Sequence, residues 1–180
     1  MRHRNLGIAF FICFAILTTP CFGKEIKYSH KIDVEKISFH WEIDGTVLHV
    51  KLVAKTTGWV GIGFNPSEAM KDANFILGYV KNGEAKATDE YGSSQAQHQK
   101  DSKLGGQYSV SNLAGKEVDG VTEIRFTIPL DSGDTKDKPL RIDTETIVLL
   151  AYGAGRDSFK TRHKFRTALK VNLKTGAFSK

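Results

Sequence analysis

Two dipeptides, Asp44-Gly45 and Asn82-Gly83, each sit between short segments whose apolar residues recur at every second position. Such dipeptides favour the positive-φ turns that join twisted antiparallel strands, so they commit the flanking chain to β-hairpins. In Ile37–Ile43 the apolar face is Ile37, Phe39, Trp41 and Ile43. In Val47–Ala54 it is Leu48, Val50, Leu52 and Ala54. The second hairpin joins Phe75–Lys81 to Glu84–Asp89. Gly58–Phe64 (GWVGIGF), Gln107–Leu113, Val121–Ile128, Thr146–Tyr152 and Thr167–Leu173 read as further strands. Thr146–Tyr152 is almost continuously apolar, as a central strand buried on both faces requires. Eight or nine short strands with turn-rich loops predict an all-β chain, an immunoglobulin-like antiparallel β-sandwich. Ser67–Asp72 and Ser132–Pro139 read as loops, and the tail after Leu173 as frayed.

The first residues stand apart from this pattern. Arg2, His3 and Arg4 precede the apolar run Gly7–Leu17, which is followed by a break ending at Gly23. That order predicts a signal peptide over 1–23, an amino-terminal extension over 24–36 and one domain over 37–175. The run is shorter than the ~20 residues a spanning helix needs, and no later segment is longer, so no stable membrane insertion is expected once the signal is removed. The expected location is periplasmic or secreted. Both cysteines, Cys13 and Cys21, lie in the segment expected to be removed. The remaining chain then has no thiol for disulfides, cysteine-ligated metal or covalent haem attachment.

The formal charge of +6 falls to +4 without Arg2 and Arg4 (6 − 2). Lysines are scattered except near Arg156–Arg166, and no nucleic-acid recognition motif is present; an acidic protein partner suits the charge better. Gly-x-Ser-x-Gly, His-Glu-x-x-His and phosphate-binding glycine loops are all lacking, so the chain is not expected to be an enzyme.

After Met1 the sole methionine is Met70, in a polar loop following Asn65-Pro66. Locally it reads as well as a side chain packed beneath its loop as it does as a ligand. His40 and His49 fall within strands as surface or edge side chains. His30 lies near the amino terminus and His98 in a polar loop. His163 stands among Arg156, Lys160, Arg162, Lys164 and Arg166, where a solvated imidazole is the simpler reading. Asp72, Asp89 and Asp101 read as exposed turn-capping carboxylates, with a calcium or carbohydrate site as the sharper alternative.

The order of motifs carries more than any one of them. Phe39-His40-Trp41 is followed by Gly58-Trp59-Val60-Gly61-Ile62-Gly63-Phe64, then Met70-Lys71-Asp72-Ala73 before the strand Phe75–Val80. Asp89-Glu90-Tyr91 and Asp101 come next. An apolar strand ending Ala151-Tyr152-Gly153 precedes His163. From Ile37 to Leu173 this order resembles the DOMON domain family, and within it the haem-binding branch similar to the cytochrome domain of cellobiose dehydrogenase. The resemblance implies one non-covalent haem b with Met70 and His163 as axial ligands. A related branch places a lysine opposite the methionine, which keeps Lys160 and Lys164 in view. Trp59, Ile62, Phe64, Phe75 and Tyr152 are the expected haem walls, and Arg156 and Arg162 the expected partners of the propionates, beside Lys164 and Arg166. The implied role is single-electron transfer with a separate redox protein. A sugar- or protein-binding module of the same family is the alternative.

Overall fold

The computed structural model describes residues 25–180; the expected signal peptide lies outside the described residues. Twelve strands are present: β1 His30–Val34, β2 Ile37–Asp44, β3 Val47–Ala54, β4 Val60–Phe64, β5 Asn74–Lys81 and β6 Glu84–Ser94. They continue as β7 Gln97–Lys100, β8 Ser111–Val118, β9 Val121–Pro129, β10 Glu145–Gly153, β11 His163–Asn172 and β12 Phe178–Ser179. They form two antiparallel sheets, one of five strands in the order β1-β2-β3-β9-β8 and one of seven in the order β12-β11-β10-β4-β5-β6-β7. No helix among the described residues is long and apolar enough to cross a membrane.

The expected sandwich is present, and its turns follow the sequence. Asn82 and Gly83 both adopt positive φ (53° and 78°) between the paired Lys81 and Glu84, as a two-residue hairpin loop matched to strand twist demands. Asp119-Gly120 repeats the device between β8 and β9. The inward residues of both sheets make one core, in which Phe39, Trp41, Phe64 and Phe126 are the bulkiest fully buried side chains. Polar groups close the sandwich ends. The Thr56 hydroxyl donates to the Gly153 carbonyl at 2.7 Å, and the Thr122 hydroxyl to the Thr56 carbonyl at 2.8 Å.

Several strand expectations are corrected. The stretch 24–36, read as an extension, contributes β1, whose Ile32 and Val34 enter the core. The tail is not frayed throughout, because β12 pairs with β11 and Leu173 is fully buried. Residues 107–110 are not strand: the Gln107 amide donates to the Asp134 carboxylate and the Ser109 amide to Asp89 at 2.8 Å, so side chains take the place of a ladder. The strand starts at Ser111 instead. His98 lies in β7, not a loop; Gln97–Lys100 has no apolar residue to mark a strand. At a sheet edge, a short polar strand of this kind resists pairing with other chains.

Candidate functional site

The outer face of the seven-stranded sheet carries a second apolar cluster, and β4 explains why. Val60, Ile62 and Phe64 point into the core, which leaves Gly61 and Gly63 on the outer face. Without side chains there, Phe75 and Leu77 of β5 lie over β4. A Cβ at Gly63 would overlap the Phe75 ring, and one at Gly61 would stand 3.1 Å from Leu77 Cγ. Trp59, Ala73, Phe75 and Leu77 form the buried centre of this cluster, with Met70, Leu149, Ala151 and others packed against it. The Trp59 indole N–H donates to the Thr161 carbonyl at 3.1 Å. Above lies a cleft of about 520 Å³, within the range of small-molecule and cofactor sites. Met70 and His163 both line it.

They enter from opposite ends of β4. Met70 lies in the loop that returns to β5 beside Phe64, and that loop is fastened to β6 and to the turn that follows it. The Met70 amide donates to the Gln95 carbonyl at 3.4 Å and the Asp72 amide to the Gly92 carbonyl at 2.8 Å. The Ser67 and Tyr91 hydroxyls donate to the two oxygens of Asp72 at 2.5 and 2.6 Å. These two bonds, Ser67 first, hold the Asp72 carboxyl below its ordinary range, so Asp72 fastens the loop through two side-chain hydroxyls and not through the backbone amides expected of a turn cap. The fit depends on Gly92. A Cβ there would fall on the Met70 carbonyl oxygen and lie 2.8 Å from its carbon. Gly92→Ala should therefore push the Met70 loop away from β6 while the sandwich still folds. Amide exchange at Met70 and Asp72 should accelerate at least tenfold with little change at core strands, and unchanged exchange would refute the wedge.

His163 owes its direction to an irregularity. Along β10 and β11 the register runs regularly to Tyr152–Phe165, then pairs Gly153 with His163, leaving Lys164 as an extra residue. Strict alternation would turn residue 163 inward; the bulge turns it to the outer face with Ala151 and Arg166, re-aiming a side chain as bulges do. Burial first, then the nearby Arg166 charge, lower the His163 pKa and favour the neutral imidazole. Arg166 itself lines the cleft.

Of the sequence-predicted residues, Trp59, Met70, Phe75 and His163 meet in the cleft, and Ile62 borders it although its side chain belongs to the core. Phe64 and Tyr152 do not reach it. They occupy inward positions of β4 and β10 and pack between the sheets, so they are core residues and not cleft walls. Arg156, Arg162, Lys160 and Lys164 are exposed and outside the lining. Leu77, Leu149 and His98 take the vacant places. Parity along β4 identifies Leu77, since it pairs with Gly61. His98 gave no signal, because its strand is polar. Its ring lies 5.2 Å from Phe75, and its Nδ1 is 2.5 Å from Glu90 Oε2. Burial would raise Glu90, but the His98 hydrogen bond and charge outweigh it and leave that carboxyl below its ordinary value.

Asp89 and Asp101 also depart from expectation. They are 4% and 1% exposed, not surface caps. Burial, with the charge of Asp137 adding, pushes both carboxyls up to about 7.

Comparison with known proteins agrees with the fold. The DOMON domain family model matches residues 33–153. The chain is 27% identical over 152 residues to mouse (Mus musculus) DBH-like monooxygenase protein 1, covering 81% of this chain and 24% of that protein. It is 29% identical over 139 residues to the human (Homo sapiens) protein of the same name, covering 74% and 22%. The chain thus spans about a quarter of the length of these relatives. Among solved structures, the cytochrome b domain of pyranose dehydrogenase from Coprinopsis cinerea superposes with a TM-score of 0.54 at 11% identity, covering 78% of this chain and 80% of that one.

Proposed function

This chain belongs to the DOMON domain family, and from that premise we propose that it is an exported carrier of one haem b, held by Met70 and His163, that exchanges single electrons with a separate redox protein. The observation that carries the reading is that one apolar cleft is lined by both the thioether of Met70 and the half-buried imidazole of His163. These donors suit haem iron, and their combination raises its reduction potential. The donor set and the apolar lining therefore fit the group.

Bound there, haem would supply one-electron chemistry. The chain's own residues do the rest. Met70 is presented by a loop tied down through Asp72, and His163 by the bulge in β11. A neutral imidazole, favoured at His163, is the form that binds a metal. Trp59, Phe75, Leu77 and Leu149 give an apolar wall that excludes water. Arg166 would pair with an anionic propionate, for which its planar guanidinium offers two parallel donors. Held by both Met70 and His163, the haem would supply electron transfer in preference to activation of a small molecule, so the chain acts as a carrier rather than an enzyme.

Adding haem b to the purified chain tests this. One haem per chain should bind, with a Soret band and sharp low-spin bands on reduction. A chain that stays colourless with haem in excess would overturn the proposal, and binding of envelope glycans in calorimetry would then favour the sugar-binding alternative.

A further inference from the structure

Away from the cleft, on the core side of β6, three carboxylates converge. Asp89 comes from β6, Asp101 opens the short 3-10 turn Asp101–Lys103 after β7, and Asp137 belongs to the β9–β10 connection. Each offers an oxygen within 4.8 Å of the others, and the three residues are 4%, 1% and 6% exposed. We propose that Asp89, Asp101 and Asp137 form a binding site for a hard divalent cation, calcium.

The hydrogen-bond inventory points to a ligand. Asp89 Oδ1, both oxygens of Asp101 and Asp137 Oδ1 are buried and accept no hydrogen bond. Buried polar atoms in folded proteins are nearly always paired, so four orphan acceptors in one place call for a missing partner. The two remaining oxygens share one residue: Ser109 donates its amide to Asp89 Oδ2 and its hydroxyl to Asp137 Oδ2, each at 2.8 Å. That arrangement holds two carboxylates while leaving one oxygen of each free. Among the described residues no cationic side chain forms a salt bridge with the three; the Lys136 ammonium, whose charge favours the ionised Asp101, lies over the Tyr91 ring, 5.1 Å from its centroid.

The donor set selects the ion. It is all oxygen, which suits calcium and magnesium better than zinc, whose sites usually include histidine nitrogen or cysteine sulfur. Oxygens in a calcium shell lie ~2.3–2.6 Å from the ion, so their mutual distances reach about 5 Å, and the observed limit of 4.8 Å falls inside that span. Magnesium keeps most of its water and seldom takes a cage of protein carboxylates. A calcium ion here would join β6, the turn after β7 and the β9–β10 connection, and Ser109, before β8, would brace them.

The test is thermal unfolding of the chain at pH 7.5 in calcium or in EGTA, with its haem content held constant, alongside calcium calorimetry. Calcium at about a hundred times its Kd should raise Tm by roughly 5–10 °C. Magnesium should do less. Asp101→Asn and Asp137→Asn, which keep side-chain volume, should abolish the calcium shift; Asp143→Asn, at an exposed position, should retain it. Equal Tm in calcium and EGTA would overturn the proposal, as would a calcium shift that survives in Asp101→Asn. A chain that fails to take up haem should still respond to calcium, so the two proposals fail separately.

Discussion

His163→Ala and Met70→Ala should each abolish the low-spin spectrum of the haem-loaded chain, with different residues of binding. The imidazole is the stronger ligand, and it is oriented by the bulge in β11. Its loss should weaken haem affinity by more than the roughly 10–100-fold that loss of an outer-shell partner causes at metal sites. Met70→Ala should keep haem on the His163 side, turn the spectrum high-spin and lower the reduction potential, since the thioether raises it. The decisive control is His98→Ala. His98 also lines the cleft, and its Nδ1 bond to Glu90 at 2.5 Å leaves the other ring nitrogen free, so it is the competing nitrogen donor. With His163 as the ligand, His98→Ala should leave the low-spin bands in place. Low-spin bands lost in His98→Ala and kept in His163→Ala would move the ligand to β7 and reject the assignment.

Trp41→Ala should cost the largest stability of any single core truncation. Trp41 is fully buried and stacks on Phe39, with centroids 4.5 Å apart and planes 18° apart. Its indole N–H donates to the Leu173 carbonyl at 2.8 Å, across 132 residues of sequence. Truncation removes the aromatic volume and orphans a buried carbonyl at once. Aromatic-to-alanine changes in cores cost about 3–5 kcal/mol. For a domain of this size, that is a fall in Tm of roughly 6–20 °C. Urea unfolding of the haem-free chain, followed by circular dichroism, measures it directly. A loss below about 1 kcal/mol would show that Leu173 and the β11–β12 end are held independently of Trp41.

Much of the sandwich could be read from the chain because its inward residues alternate cleanly. Phe39 and Trp41, Leu48 through Ala54, and Ile124 through Ile128 all take the predicted side. Reading failed where side chains stop reporting the backbone. Gln97–Lys100 pairs with β6 although no residue in it is apolar. Residues 107–110 alternate without pairing, because carboxylates bind their amides. In the cleft, Met70 and His163 were legible through motif order, whereas Phe64 and Tyr152 were misplaced because strand parity was not followed through β4 and β10. Trp59 and Phe75 fall on the correct face for the same reason that Phe64 does not. The burial of Asp89 and Asp101 had no local signature; they converge with Asp137 of the β9–β10 connection, 48 and 36 residues further on.

The extra residue at Lys164 separates the sandwich from the direction of its imidazole. Downstream of that point β11 keeps step with β10 by ordinary pairing. Were the ladder to continue through Lys164 without the bulge, Lys164 would take the outward place opposite Gly153 and position 163 would face the interior, so the outer surface would lose its nitrogen donor while the architecture stayed whole. Within this architecture, gaining or discarding a metal ligand is a matter of strand register as much as of residue identity, so lineages can part company in chemistry while remaining superposable in shape.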